Sequence, residues 1–231
     1  MTRRVVGILG GMGPEATILL QQRLLATVQA RDDADHLPLL IDMNPQVPSR
    51  IAHLIEGKGE SPGPVLAEMA QRLEAAGATA LAMPCNTAHY YAAAIQEAVA
   101  IPLLNMVDLS IARAAQALGD QAQVGILVSP AVKLAGVFDA ALERAGLSAL
   151  WPADPASLLS AIRSIKTHGP TSDAERILAA AAAEISDRGA AMLLVACSEF
   201  SLIVDALPYG IPSLDTVDVL AAAIHEHTMN G

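Results

Sequence analysis

Apolar positions in this chain fall into short unbroken runs, at 5–9, 38–43, 78–83, 124–128 and 191–195, separated by longer Ala- and Leu-rich stretches. Runs this continuous suit strands buried on both faces, so the pattern predicts a mostly parallel sheet covered by helices. The intervening segments 15–31, 64–76, 88–100, 110–118, 134–145 and 172–188 are predicted as helices. Pro14 suits a first helical turn, and Gly77, Gly119, Gly146 and Gly189 stand just beyond last turns. The rhythm is βαβ, and the fold class is α/β.

The two halves of the chain match one another. Val6-Gly7-Ile8-Leu9 corresponds to Val124-Gly125-Ile126-Leu127, Ala82-Met83-Pro84-Cys85-Asn86 to Val195-Ala196-Cys197-Ser198-Glu199, and the segment from Ile101-Pro102 to Asp108 to that from Ile211-Pro212 to Asp218. The intervals agree as well: 78 residues from Gly7 to Cys85 against 72 from Gly125 to Cys197, then 16 from Cys85 to Ile101 against 14 from Cys197 to Ile211. Three landmarks in one order imply a duplication. The expected division is a first α/β domain of residues 1–107 plus 214–231 and a second of 108–213, pseudo-symmetric, with the final helix near 217–227 packing back on the first.

Composition narrows the function. With 231 residues, 53% hydrophobic and 16% charged, the chain can bury a large core and is not disordered. No apolar stretch reaches the ~18 residues of a spanning helix, and Met1-Thr2-Arg3-Arg4 leads into a strand rather than a secretory signal, so a cytoplasmic protein without a membrane partner is expected. A net charge of −10 and 3% aromatics disfavour nucleic acid and leave a small-molecule partner. Two cysteines are too few for a disulfide framework.

Both cysteines follow a buried strand and precede a helix, where open parallel sheets bind ligands. A pseudo-twofold axis would set Cys85 and Cys197 on opposite sides of one ligand, and a helix N-terminus would lower their pKa values. Two such thiols suit inversion of a carbon stereocentre: one base takes a proton from one face, and a conjugate acid returns one to the other. Around them, Asn44 and Arg50 follow the second strand, and Arg suits carboxylate recognition. Lys166 offers a second cation, with Arg163 and Lys133 as competitors. Asn86, Thr87, Ser129 and Ser198 could donate to a carboxylate, and Glu199 could accept from a substrate ammonium.

Rival readings are weaker. Cys85 and His89 supply two metal ligands, and the other histidines form no matching cluster, so no metal is expected. Gly11-x-Gly13-x-x-Ala16 formally fits a dinucleotide loop, but Pro14 removes a backbone donor and Glu15 adds charge where pyrophosphate would sit. Those glycines are expected to let the backbone approach a small ligand closely. A non-catalytic nucleotide-binding module is the alternative from another class.

The segments Ile8-Leu9-Gly10-Gly11-Met12-Gly13-Pro14-Glu15-Ala16-Thr17, Asn44-Pro45-Gln46, Pro84-Cys85-Asn86-Thr87-Ala88-His89 and Cys197-Ser198-Glu199 resemble the signatures of the aspartate/glutamate racemase family. The resemblance spans nearly the whole chain. It implies two Rossmann-like domains with the active site in the cleft between them, a homodimer, and racemisation of an acidic amino acid by Cys85 and Cys197 without cofactor. It also implies that Met12, Asn44, Arg50, Asn86, Thr87, Ser129, Lys166, Ser198 and Glu199 line the substrate site, with Arg50 and Lys166 reading the side-chain carboxylate. Related enzymes of the hydantoin racemase, maleate isomerase and decarboxylase types reuse the scaffold and make another small carboxylate the nearest enzymatic alternative. Ser198 replaces the family's usual threonine, and Ser129 and Val132 stand where two threonines are usual.

Overall fold

Eight strands form two separate parallel sheets in the computed structural model, which describes residues 3–119 and 122–230. In the first half, β1 (Val6–Gly10), α1 (Pro14–Ala26), β2 (Leu39–Met43), α2 (Arg50–Leu54), α3 (Gly63–Ala75), β3 (Ala80–Ala82), α4 (Ala92–Ala98), β4 (Leu103–Leu104) and α5 (Met106–Leu118) follow in order. The second half holds β5 (Gln123–Leu127), α6 (Pro130–Leu134), α7 (Asp139–Ala145), β6 (Ser148–Leu150), α8 (Pro155–His168), α9 (Ser172–Asp187), β7 (Met192–Val195), α10 (Ser198–Ser201), β8 (Ser213–Asp215) and α11 (Thr216–Met229). The sheet orders are β2-β1-β3-β4 and β6-β5-β7-β8. One is the image of the other, as the matched halves imply.

The apolar strands are buried because both faces are covered. Val6 and Ile8 point into a cluster with Leu20 and Leu24 of α1, while Leu9 joins Leu66, Met69 and Leu73 of α3 on the other face. In the second sheet Val124 and Ile126 pack with Phe138 and Leu142, and Leu127 packs with Leu158, Ile162, Leu178 and Ile185. Gly7 and Gly125 are equivalent positions under a covering helix. A Cβ on Gly7 would stand 3.0 Å from Leu73 Cβ, and one on Gly125 would stand 2.3 Å from Ile185 Cγ2.

The last helix of each half crosses to the other. Val107, Ile111 and Ala114 of α5 are buried in the second-half core, and Val217, Leu220, Ala221 and Ile224 of α11 in the first-half core. Each crossing is started by a side-chain cap at equivalent positions: Asn105 Oδ1 accepts from Val107 N at 3.0 Å, and Asp215 Oδ1 accepts from Val217 N at 2.8 Å. These exchanged helices join the halves into one body and fix the cleft between the sheets. Among the described residues no helix is long and apolar enough to cross a membrane.

Local structure departs from the sequence pattern in places. The run 134–145 is two helices, because Gly136 takes φ +64° and turns the chain between α6 and α7. The segment 88–100 opens as a 3₁₀ turn, Thr87–Tyr91, before α4 begins. Helix 15–31 stops at Ala26, where Thr27 Oγ1 donates back to Leu24 O at 2.8 Å.

Candidate active site

The carboxyl ends of the central strands β1, β3, β5 and β7 open onto one cleft between the halves. Its volume is about 470 Å³ including the mouth. Cys85 and Cys197 both line it, from opposite halves, at 7% and 6% exposure. Met12, Arg50, Asn86, Thr87, Ser129, Lys166, Ser198 and Glu199 line it too.

Asn44 does not. It sits at the strand end as expected, but Nδ2 contacts Met69 Sδ at 3.7 Å, and Oδ1 accepts from Gln46 N at 3.0 Å, which turns the side chain into its own loop. The structure adds Ser49, Ile51, Ile162 and Ala196 to the wall. Ser49 Oγ accepts from Ala52 N at 3.2 Å and starts α2, placing Arg50 on its first turn. Ile162 lies one turn before Lys166 on α8, so the apolar wall and the cation come from one helix face.

In the glycine loop, Gly11 packs on the loop that follows β2. A Cβ on Gly11, at φ +90°, would stand 2.4 Å from the carbonyl carbon of Asn44. This close approach is to the neighbouring loop, and Gly11 N donates to Thr17 Oγ1 at 3.0 Å. This packing delivers Met12, 3% exposed, to the cleft.

Electrostatics differ between the thiols. Cys197 Sγ donates to Glu199 Oε2 at 3.0 Å, and Lys166 Nζ stands 3.0 Å from Glu199 Oε1. Burial pushes the Cys197 thiol well above its ordinary range, and the Glu199 carboxylate reinforces this by charge and as acceptor, while Lys166 opposes it. The expected depression by a helix N-terminus is therefore overturned at Cys197: α10 is only Ser198–Ser201, and burial outweighs it. Burial also pushes Glu199 up, but Lys166 and the hydrogen bonds it receives bring it below the usual carboxylate range. Burial draws the Lys166 ammonium down, and Glu199 and the two sulfurs more than restore it. Glu199 is thus already engaged, unlike the open acceptor for a substrate ammonium that sequence reasoning expects. Arg50 donates to Pro48 O at 3.1 Å and forms no ion pair among the described residues.

Behind each sulfur stands a second residue that sequence reasoning missed in this role. His89 Nε2 accepts from Met106 N at 3.1 Å, so its Nδ1–H donates to Cys85 O at 2.9 Å. Burial lowers its pKa to about 4, which keeps the ring neutral. At the equivalent place Ser201 Oγ donates to Asp215 Oδ1 at 2.8 Å and lies 3.4 Å from Cys197 O. The signal was available: both residues stand four beyond a cysteine in the matched halves.

Two matching parallel sheets, each with a thiol beyond the end of an inner strand and both thiols lining one cleft, define a duplicated α/β protein. The family model for Asp/Glu/hydantoin racemase matches residues 9–224. The chain is 26% identical over 231 residues to the broad specificity amino-acid racemase RacX of Bacillus subtilis (strain 168), covering 94% of this chain and 95% of that one. Among solved structures, Picrophilus torridus aspartate racemase superposes with a TM-score of 0.87 at 28% identity, covering 98% of this chain and 94% of that one. An aspartate racemase homologue from Pyrococcus horikoshii OT3 has a TM-score of 0.77 at 21% identity, covering 99% and 100%, and shares the fold. The chain belongs to the Asp/Glu/hydantoin racemase family. That membership supports amino-acid racemase activity, an isomerase chemistry.

Proposed function

We propose that the protein racemises an acidic amino acid, aspartate or glutamate, by two-thiol proton transfer at Cα without a cofactor. The observation that carries this reading is that Cys85 and Cys197, the two cysteines of the chain, line one cleft from opposite halves together with the cations Arg50 and Lys166. One sulfur, as thiolate, removes the Cα proton and leaves the bonding pair on Cα; the other, as thiol, delivers a proton to the opposite face. Thr87, Ser129 and Ser198 supply hydroxyl donors at the α-carboxylate, where negative charge grows as the proton leaves. Arg50, with no carboxylate partner among the described residues, takes the side-chain carboxylate, assisted by Lys166. The proposed enzyme works in the cytoplasm, as a homodimer.

A second reading, a racemase of neutral amino acids, is favoured by one observation: Lys166 is already neutralised by Glu199, and Ile51 and Ile162 give the cleft an apolar side. The breadth named for the Bacillus subtilis relative agrees with it. Incubation with single enantiomers of aspartate, glutamate, alanine and homoserine in D₂O, followed by chiral chromatography and mass spectrometry, separates the two. Deuterium entry and inversion with aspartate or glutamate, and little with the others, supports the acidic reading; turnover confined to the neutral amino acids replaces it.

A further inference from the structure

The matched halves differ in charge at one position beside the sulfurs. Two residues beyond Cys197 stands Glu199, and two residues beyond Cys85 stands Thr87, so one thiol has a carboxylate neighbour where the other has a neutral hydroxyl. Glu199 Oε2 accepts the Cys197 S–H at 3.0 Å, its other oxygen is held 3.0 Å from Lys166 Nζ, and its side chain is only 12% exposed. Among the described residues no carboxylate is hydrogen-bonded to Cys85. Among the described residues, the charged groups lining the cleft with Cys197 are Glu199 on α10, Lys166 on α8 and Arg50 on α2, with Cys85 as the other thiol; Glu15 of α1 lines a small neighbouring cavity with Glu199 and Lys166.

We propose that Glu199, held ionised by Lys166, is a positioning residue that keeps Cys197 protonated in the substrate-free enzyme and so assigns the first proton abstraction to Cys85. A thiol donates to a carboxylate, whereas a thiolate at the same distance would face it as a second negative charge. The inference rests on the two-thiol reading above. In the first turnover the Cys85 thiolate takes the Cα proton, the C–H pair stays on Cα, and the Cys197 S–H proton moves to the opposite face, leaving Cys85 as thiol and Cys197 as thiolate. That product form holds two adjacent anions, and a proton from Cys85, passed through water, returns it to the resting form.

Inverting a free amino acid has an equilibrium constant of one, so kcat/KM is equal in both directions. The preference between the sulfurs therefore appears as a kcat and a KM that differ between enantiomers by the same factor. Replacing Glu199 should shrink that factor.

The direct test needs no substrate. Site-resolved alkylation by iodoacetamide, read by mass spectrometry across about pH 6 to 10, reports the thiolate fraction of each sulfur. Equal burial of the two thiols makes access a poor explanation for any difference. In the wild type Cys85 is expected to react about tenfold faster than Cys197 near neutral pH, one pKa unit being a tenfold change in thiolate. Glu199→Gln should speed Cys197 about tenfold and leave Cys85 within about threefold. Glu199→Ala, which removes the carboxylate and the acceptor together, should speed Cys197 in the same direction, and it serves if the first variant folds poorly. Equal labelling of the two sulfurs in the wild type, or a Cys197 profile unmoved by both variants, overturns the proposal. Because labelling requires no turnover, either result leaves the substrate reading to its own assay.

Discussion

Asn86 Nδ2 donates to Thr216 Oγ1 at 2.9 Å, and Thr216 Oγ1 donates on to Val195 O at 3.1 Å. This buried chain runs from the residue after Cys85, through the first residue of α11, to the strand that ends two residues before Cys197. The spacing of the two sulfurs therefore depends on a tie between the exchanged helix and both strand ends.

Thr216→Val keeps the shape of the side chain and removes the tie. It leaves the Asn86 amide and the Val195 carbonyl without that partner in a buried setting, and an unsatisfied buried group costs about 1–3 kcal/mol. Urea denaturation is expected to show a loss of about 2–3 kcal/mol, while Thr216→Ser, which retains the hydroxyl, should lose about 1 kcal/mol from the missing methyl. An unchanged midpoint for the valine variant would remove the tie from the account.

Acid stability depends on two buried groups with opposite signs. Burial lowers His89 from its ordinary 6.5 to about 4, so its contribution is whole above 6.5 and is lost as pH falls toward 4. Burial raises Asp215 from 3.8 to about 6, so its contribution is whole below 3.8 and is lost as pH rises through 6. Each effect is on the order of 3 kcal/mol, and between pH 4 and 6 they offset one another. Asp215→Asn keeps the acceptor for Val217 N and the partner of Ser201 but cannot titrate. Its stability is expected to fall about 2–3 kcal/mol more than the wild type's between about pH 7.5 and 4.5. Parallel losses in the two proteins would show that Asp215 does not titrate in that window.

Gly125 tests the packing that both halves share. Its missing side chain lets Ile185 approach to where a Cβ would stand, so Gly125→Ala should destabilise by about 1–3 kcal/mol. Gly7→Ala, with its nearest contacts at 3.0 Å, should cost less. Ile185→Leu removes the offending Cγ2 branch at constant volume, and the double variant Gly125→Ala/Ile185→Leu should regain part of the loss in thermal or urea unfolding. Strict additivity of the two changes would show that they do not meet.

The parallel strands were legible because burial on both faces leaves unbroken apolar runs, and the duplication was legible because Gly7 and Gly125 occupy the same packed position in each half. The short strands β4, β6 and β8, only partly buried, stand in no such run. Helix α8 was overlooked despite a readable start: Asp154 caps Ser157 N, Pro155 opens the first turn, and Leu158, Ala161, Ile162 and Ile165 recur on one face. Missing that helix hid the role of Ile162. Side-chain direction was the deeper limit. Asn44 stands on the predicted rim yet folds into its loop, and Glu199, two residues from Cys197, reveals its engagement only once α10 turns it onto the sulfur and α8 brings Lys166 to its other oxygen.

The central claim is that each sulfur serves one face of Cα. It is tested most directly by following Cα hydrogen–deuterium exchange and chirality together, for each enantiomer of the best substrate in D₂O, in Cys85→Ala and Cys197→Ala. Each variant should lose inversion by about a thousandfold or more, the order expected on removing an acid–base group. The variant that keeps the base for a given enantiomer should still exchange its Cα hydrogen with retention, and the two variants should do so for opposite enantiomers. Normal racemisation by either alanine variant, or exchange of the same enantiomer by both, would contradict the two-sulfur mechanism.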